Sequence, residues 1–233
     1  MGKLYFFGDN NTKERRSIMY EQLIEELNAH PAHDYNIEDA EKLADKILEL
    51  GGYKNTLGRT PIVKIVNNFG FSAFKEQNMP DNISGNIFIG GTTKKIYHYD
   101  KVIVVDADEE FYHQRFIIAH ELAHYLMDYI GNKKYADPKK LFSMAYLKDD
   151  HDKGEVRADR FAAEILMPAN LFSAKYKRVA ELSFYDMKYT LRYLSDYFQT
   201  KISCIIRRID ELGLDFYGGI VECFKGAESL GFR

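Results

Sequence analysis

An α+β fold, mostly helical with a small antiparallel or mixed sheet, is predicted by three features of this 233-residue sequence. Long stretches carry apolar residues at helical spacing, and four short β-prone runs cluster between residues 71 and 105. No internal repeat or low-complexity segment points to a solenoid or a biased chain.

Taken in order, Lys13 to Asn28 and Asn36 to Leu50 read as two amphipathic helices, the second ending at Gly51-Gly52. Thr60 is expected to cap a short helix with Pro61 at its first position, where the missing N–H costs nothing. Phe71 to Phe74, Asn86 to Ile89, Lys95 to Tyr99 and Val102 to Val105 are the β-prone runs, separated by Gly and Asn turns. Phe111 to Ile130 reads as one helix, with Asp108, Glu109 and Glu110 at its favoured acidic start and Gly131, Lys133 and Lys134 at its end. Phe116, Ala119, Ala123, Met127 and Ile130 form an apolar stripe, and Ile117, Ile118, Leu122 and Leu126 add apolar residues on other faces, so this helix is expected to be central. A second amphipathic helix runs from Glu155, is entered through the polar run Lys148 to Gly154, and is stopped by Pro168. The chain then reads as helical through Leu214, and Phe216 to Phe224 is a candidate strand. The expected division is a helical N-terminal extension over 1–34, a core domain over 35–170, a helical segment over 171–214 and a tail over 215–233.

The central helix carries His120-Glu121-Leu122-Ala123-His124. Two imidazoles four residues apart share one helix face and can grip a single metal ion, while the carboxylate between them is turned by about 100° toward the ion's open position. That is the zincin arrangement. A metal held by neutral imidazoles lowers the pKa of its water from about 15.7 to about 7, and the carboxylate can take that water's proton. A catalytic zinc takes three protein ligands, so a third must come from elsewhere in the chain. The metzincin continuation is absent, because Met127 and Ile130 stand where it needs Gly and His. In the helix from Glu155, the residues Glu155, Ala158, Asp159 and Ala162 share a face, and the alanines permit close approach to the first helix. Such an approach would bring Glu155 to the metal and Asp159 to the outer nitrogen of a ligating histidine. Asp128 and His151 are rival third ligands.

Arg115-Phe116-x-x-Ala119-His120-Glu121-Leu122-Ala123-His124, followed by Glu155-x-x-Ala158-Asp159-x-Phe161-Ala162-Ala163-x-x-Leu166-Met167-Pro168, resembles the ImmA/IrrE family of bacterial and phage metallopeptidases. Weaker similarity extends over roughly residues 35 to 214, including the segment from Leu194 to Leu214, which resembles the family's helix-turn-helix-like region. The resemblance implies a mostly helical zincin-like peptidase core followed by that helical segment. It implies His120, His124 and Glu155 as ligands of one Zn2+, Glu121 as general base and Asp159 as the carboxylate behind a ligand histidine. Mn2+ and Fe2+ suit the same donors. By the same resemblance the substrate is a helix-turn-helix repressor, held extended along an edge strand, for which Asn86 to Ile89 or Lys95 to Tyr99 are the candidates. This chain departs from the family at Gln199-Thr200-Lys201, where a small residue is usual, and its first 34 residues match no family segment.

Several other residues suit chemistry. Tyr97, His98, Tyr146 and His151 are candidates for stabilising the oxyanion, and sequence does not choose among them. His30 and His33 flank a proline in a loop and read as surface histidines, and His113, two turns before His120, reads as a surface residue or an outer neighbour of the site. The segment Lys188 to Glu211 carries Lys201, Arg207 and Arg208 but also Asp196, Asp210 and Glu211, a charge balance that argues against independent DNA binding. The Leu141 to His151 connection is placed to act as a lid.

Composition agrees with these readings. A net charge of -3 gives no global attraction to DNA or anionic membranes. No run approaches the roughly 18 apolar residues of a membrane span, and Met1 to Asn11 lacks the basic and apolar regions of a signal peptide, so a cytoplasmic location is expected. The 2 cysteines, Cys204 and Cys223, have neither metal nor disulfide spacing.

Overall fold

The computed structural model describes residues 10–29, 34–54, 59–147, 152–182 and 186–214. In chain order the elements are α1 (Asn10–Asn28), α2 (Ile37–Gly51), α3 (Ile62–Asn68), β1 (Ser72–Glu76), β2 (Ile83–Ile89), α4 (Thr93–Tyr97), β3 (Lys101–Asp106), α5 (Phe111–His124), β4 (Phe142–Leu147), α6 (Lys153–Leu166), α7 (Ala169–Leu182), α8 (Met187–Phe198) and α9 (Ile202–Glu211). The fold class is α+β, as the sequence predicts. Local chemistry explains the boundaries. Asn36 and Asp39 form a reciprocal capping box at the start of α2, and Gly52 closes it in the left-handed conformation at φ 73°. Asp152 accepts hydrogen bonds from the backbone of Gly154 and Glu155, which fixes the first turn of α6 where Glu155 sits.

The four strands lie in the order β1-β3-β2-β4, with β1 parallel to β3 and the other two pairs antiparallel. Gly85, Ile87 and Ile89 of β2 face α5, in register with Val105, Ile103 and Lys101 of β3. Beyond α5 lies α6, and beyond α6 lies α2. Tyr20, Leu23 and Leu27 of α1 join the same core as Leu191, Leu194 and Phe198 of α8 and Ile205 and Ile209 of α9. The contact between α5 and the sheet is tight, because a Cβ on Gly85 would overlap Cγ2 of Ile117. Gln114 ties the start of α5 to the end of β3 by donating to the carbonyls of Asp106 and Glu109, both at 2.9 Å. Arg115, buried, donates to the carbonyl of Thr60 at 2.7 Å and of Gln199 at 3.3 Å, joining α5 to the entry of α3 and the exit of α8. At the far side, fully buried Arg208 pairs with Glu164 and donates to the carbonyl of Met167, so α9 is locked onto the corner between α6 and α7.

Four sequence expectations change. Lys95 to Tyr99 is not a strand: Thr93–Tyr97 makes a single helical turn that carries the chain from β2 back into β3. The β propensity of Ile96 and Tyr97 yields to a connection that must reverse direction between antiparallel neighbours, and Tyr97 stacks on Phe74 and Phe88 instead. Asn86 to Ile89 is a strand but an interior one, paired on both sides, so its backbone has no free edge for a substrate. Phe142–Leu147, expected as part of a lid, is β4. Thr60 makes no side-chain cap, and Pro61 itself holds the cap position of α3. The candidate strand at 216–224, His30, His33 and His151 lie outside the described residues.

Two stability results are expected. Gly85→Ala should cost about 1–3 kcal/mol by overpacking, and adding Ile117→Ala should make the double variant less unstable than the sum of the two changes, read by urea denaturation. Arg208→Ala should cost about 3–5 kcal/mol because it strands Glu164 in the core, whereas the paired change Arg208→Met with Glu164→Leu should be close to neutral.

Candidate metal centre

His120 and His124 lie one turn apart on α5 and are 0% and 1% exposed, and Glu155 enters from the first turn of α6. Ala158 and Ala162 of α6 and Ala119 and Ala123 of α5 are fully buried, small side chains that let the two helices close on one another. The result is a compact donor set. Nε2 of His120 is 2.9 Å from one Glu155 oxygen, Nε2 of His124 is 3.2 Å from the other, and the two Nε2 atoms are 3.0 Å apart.

The outer nitrogens are committed elsewhere. Nδ1 of His120 donates to Asp159 at 3.0 Å and Nδ1 of His124 to Asp128 at 2.7 Å, since a carboxylate can only accept. Both inner nitrogens therefore face each other and the Glu155 carboxylate, where each can either donate a proton to that carboxylate or offer a lone pair to a metal ion. Such a cluster needs positive charge at its centre. Burial opposes charging His124, yet its bonds to Asp128 and Glu155 raise its pKa to about 10. Burial also works to raise Glu155, but hydrogen bonds from His120 and His124 hold it down at about 2.

The donors fit a metal. Metal–ligand bonds of about 2 Å in a tetrahedral site place neighbouring ligand atoms about 3.3 Å apart, close to the 2.9, 3.2 and 3.0 Å found here. His120, His124 and Glu155 can thus hold one metal ion, and all three are buried.

Glu121 is fully buried, and among the described residues neither carboxylate oxygen has a hydrogen-bond partner. Burial raises its pKa to about 7, against the pull of the two imidazoles; the backbone of Tyr146 also lowers it without meeting hydrogen-bond geometry. A carboxylate in that state can both accept and return a proton near neutral pH.

The structure separates the other candidates. Tyr146, on the outer strand β4, packs edge-on against His120 with ring centroids 4.6 Å apart. Burial pushes its phenol pKa up, so it remains a proton donor. Tyr97 sits on the face of the sheet opposite α5, with Phe74 and Phe88, and exposed His98 follows it, so neither is brought to the imidazoles. Asp128, a rival ligand by sequence, is not in the donor set but behind His124, in a π turn (Tyr125–Tyr129) that widens the helix directly after the motif. Its spacing of four from His124 was the available signal. Asp159 sits behind His120. Sequence reasoning missed Arg157, which donates to Asp128 at 3.2 Å, and Arg207, which donates to Asp159 at 3.0 Å. It also missed that His113 bonds Glu109 through Nδ1 at 2.7 Å while its ring meets Tyr146, with Ser84 donating to the same carboxylate at 2.7 Å.

Among the described residues, no helix is long and apolar enough to cross a membrane. No curated protein matches the chain. Among solved structures, a Mycobacterium tuberculosis transcriptional regulator aligns with a TM-score of 0.46 and 19% identity, over 85% of this chain and 51% of that one. The chain therefore spans about half the length of that regulator. The sequence profile of the IrrE N-terminal-like domain (Peptidase_M78) matches residues 87–210, more than half of the chain, from within β2 to within α9 and including the donor set. This chain belongs to the IrrE N-terminal-like peptidase family.

Proposed function

We propose that the chain is a zinc-dependent endopeptidase with His120, His124 and Glu155 as ligands, Glu121 as general base and Asp159 as the carboxylate orienting His120. The observation that carries this is the approach of three buried donors to within 2.9–3.2 Å of one another while both outer imidazole nitrogens are engaged elsewhere. A divalent cation there would supply Lewis acidity, polarising a scissile carbonyl and lowering the pKa of water from about 15.7 toward about 7. Zinc suits two imidazoles and a carboxylate with one position left open.

The chain's own groups divide the remaining work. The Glu121 carboxylate, without a hydrogen-bond partner among the described residues, takes the proton of the attacking water and returns it to the departing amine nitrogen. The Tyr146 phenol, kept neutral by burial, is the candidate donor to the carbonyl oxygen as negative charge grows on it. His113, held by Glu109, stands behind Tyr146. The peptide lies along β4, the sheet edge nearest His120, and replaces the two strands considered from sequence. A cavity of about 340 Å³ beside this edge, lined by Asp128, Met144, Asp152, Lys153, Gly154 and Arg157, has room for a substrate side chain.

The proposed substrate is a helix-turn-helix transcriptional repressor, cut in the cytoplasm to relieve repression; its support is the ImmA/IrrE resemblance. The rival reading is a catalytically inert DNA-binding or antitoxin-like regulator with a metal-binding core, and its DNA-binding form needs basic residues in and beside α9 to face outward. Arg208 is instead buried against Glu164, Arg207 pairs with Asp159 and Glu211, and Lys201 lies 3.8 Å from Glu109. That disposition leaves little for phosphate contact.

Glu121→Gln is expected to keep one equivalent of zinc while peptide cleavage falls by about 10²–10⁴-fold; cleavage at the original rate would refute the assigned base. His120→Ala and Glu155→Ala are expected to lose zinc in metal analysis, and full occupancy in the Glu155 variant would move the third ligand elsewhere. Mixed with zinc and the wild-type chain, a helix-turn-helix repressor encoded beside this gene should be cut at one site and should survive the Glu121 variant intact.

A further inference from the structure

Each ligand imidazole is the inner end of a three-residue chain of hydrogen bonds. On one side His124 leads to Asp128 and then to Arg157, which comes from α6 itself. On the other, His120 leads to Asp159 and then to Arg207, which comes from α9, 48 residues further along the chain. Asp159 has only two oxygens, and both are used: Oδ1 for His120 at 3.0 Å and Oδ2 for Arg207 at 3.0 Å. Its orientation is thus set from both ends.

Arg207 is itself held. Its Nε donates to Glu211 at 3.1 Å, and the same glutamate pairs with Arg160 of α6 at 2.8 Å. The neighbouring Arg208, buried against Glu164, fixes the rotation of α9 about its axis. A carboxylate that orients a metal-binding imidazole makes the imidazole a better ligand, and loss of such a partner costs about 10–100-fold in metal affinity. Without Arg207, Asp159 keeps its negative charge but loses the counter-charge and the second anchor that fix its plane.

We infer that Arg207 is a positioning residue for the metal centre, acting through Asp159 on His120, so that α9 completes the metal site. This rests on the metal-binding reading above.

The test is zinc affinity of the full chain, measured by competition with a chromophoric chelator, alongside the melting temperature of the metal-free protein. Arg207→Gln should raise the zinc Kd about tenfold while the metal-free Tm stays within about 2 °C. Arg207→Lys, which keeps the charge, should recover much of the loss. With Asp159→Asn already present, Arg207→Gln should add little further change, because the path is already cut. A Kd within twofold of wild type, or an undiminished effect in the Asp159→Asn background, overturns the inference while leaving the metal site standing if Glu155→Ala still loses zinc. If Glu155→Ala binds zinc as tightly as wild type, both readings fall.

Discussion

The structure depends on holding two imidazole nitrogens and a carboxylate within about 3 Å of one another in a buried site. Left alone, that arrangement is unfavourable, and the surrounding architecture is what makes it persist. The close approach of α5 and α6 across alanines places the donors, the Asp152 cap fixes where α6 begins, and Gly85 lets the sheet press on α5 from the opposite side. Positive charge at the centre is then the electrostatic complement of the pocket rather than an addition to it. Among the described residues the Glu121 carboxylate has no hydrogen-bond partner, and the same burial that leaves it so raises its pKa.

Much of this was legible in the sequence because it is periodic. His120 and His124 at spacing four, and Glu155 with Asp159 at the same spacing on a helix of small residues, specify faces, and faces meet by packing. The helices were legible for the same reason. The strands were harder. Lys95 to Tyr99 has strand-like residues but serves as a reversal between antiparallel neighbours, and Phe142–Leu147 carries no strong alternation in its sequence. Which strand lies at the edge is a property of sheet order, and order is set by contacts between distant segments that no local window contains.

The same distinction separates the parts of the site that were seen from those that were missed. Asp128 stands four residues after His124, so its position behind that imidazole could have been read from helical spacing, although its acidic side chain equally suggested a ligand. Tyr146 was one of four aromatic or imidazole candidates; the pairing of β4 with β2 brings its ring against His120, whereas Tyr97 and His98 stay away and His151 lies outside the described residues. Arg207 had no local signal at all. Its charge fits a nucleic-acid surface in the sequence, and its partner Asp159 is 48 positions away. A helix that looks like an appended module by sequence is thereby wired to the peptidase core by its side chains.

Anomalous diffraction at the zinc edge from crystals of the zinc-loaded chain tests the central claim most directly. A single peak about 2 Å from Nε2 of His120, Nε2 of His124 and an oxygen of Glu155 is the result this account requires. A peak elsewhere on the chain, or none at these three residues at full zinc loading, would contradict it.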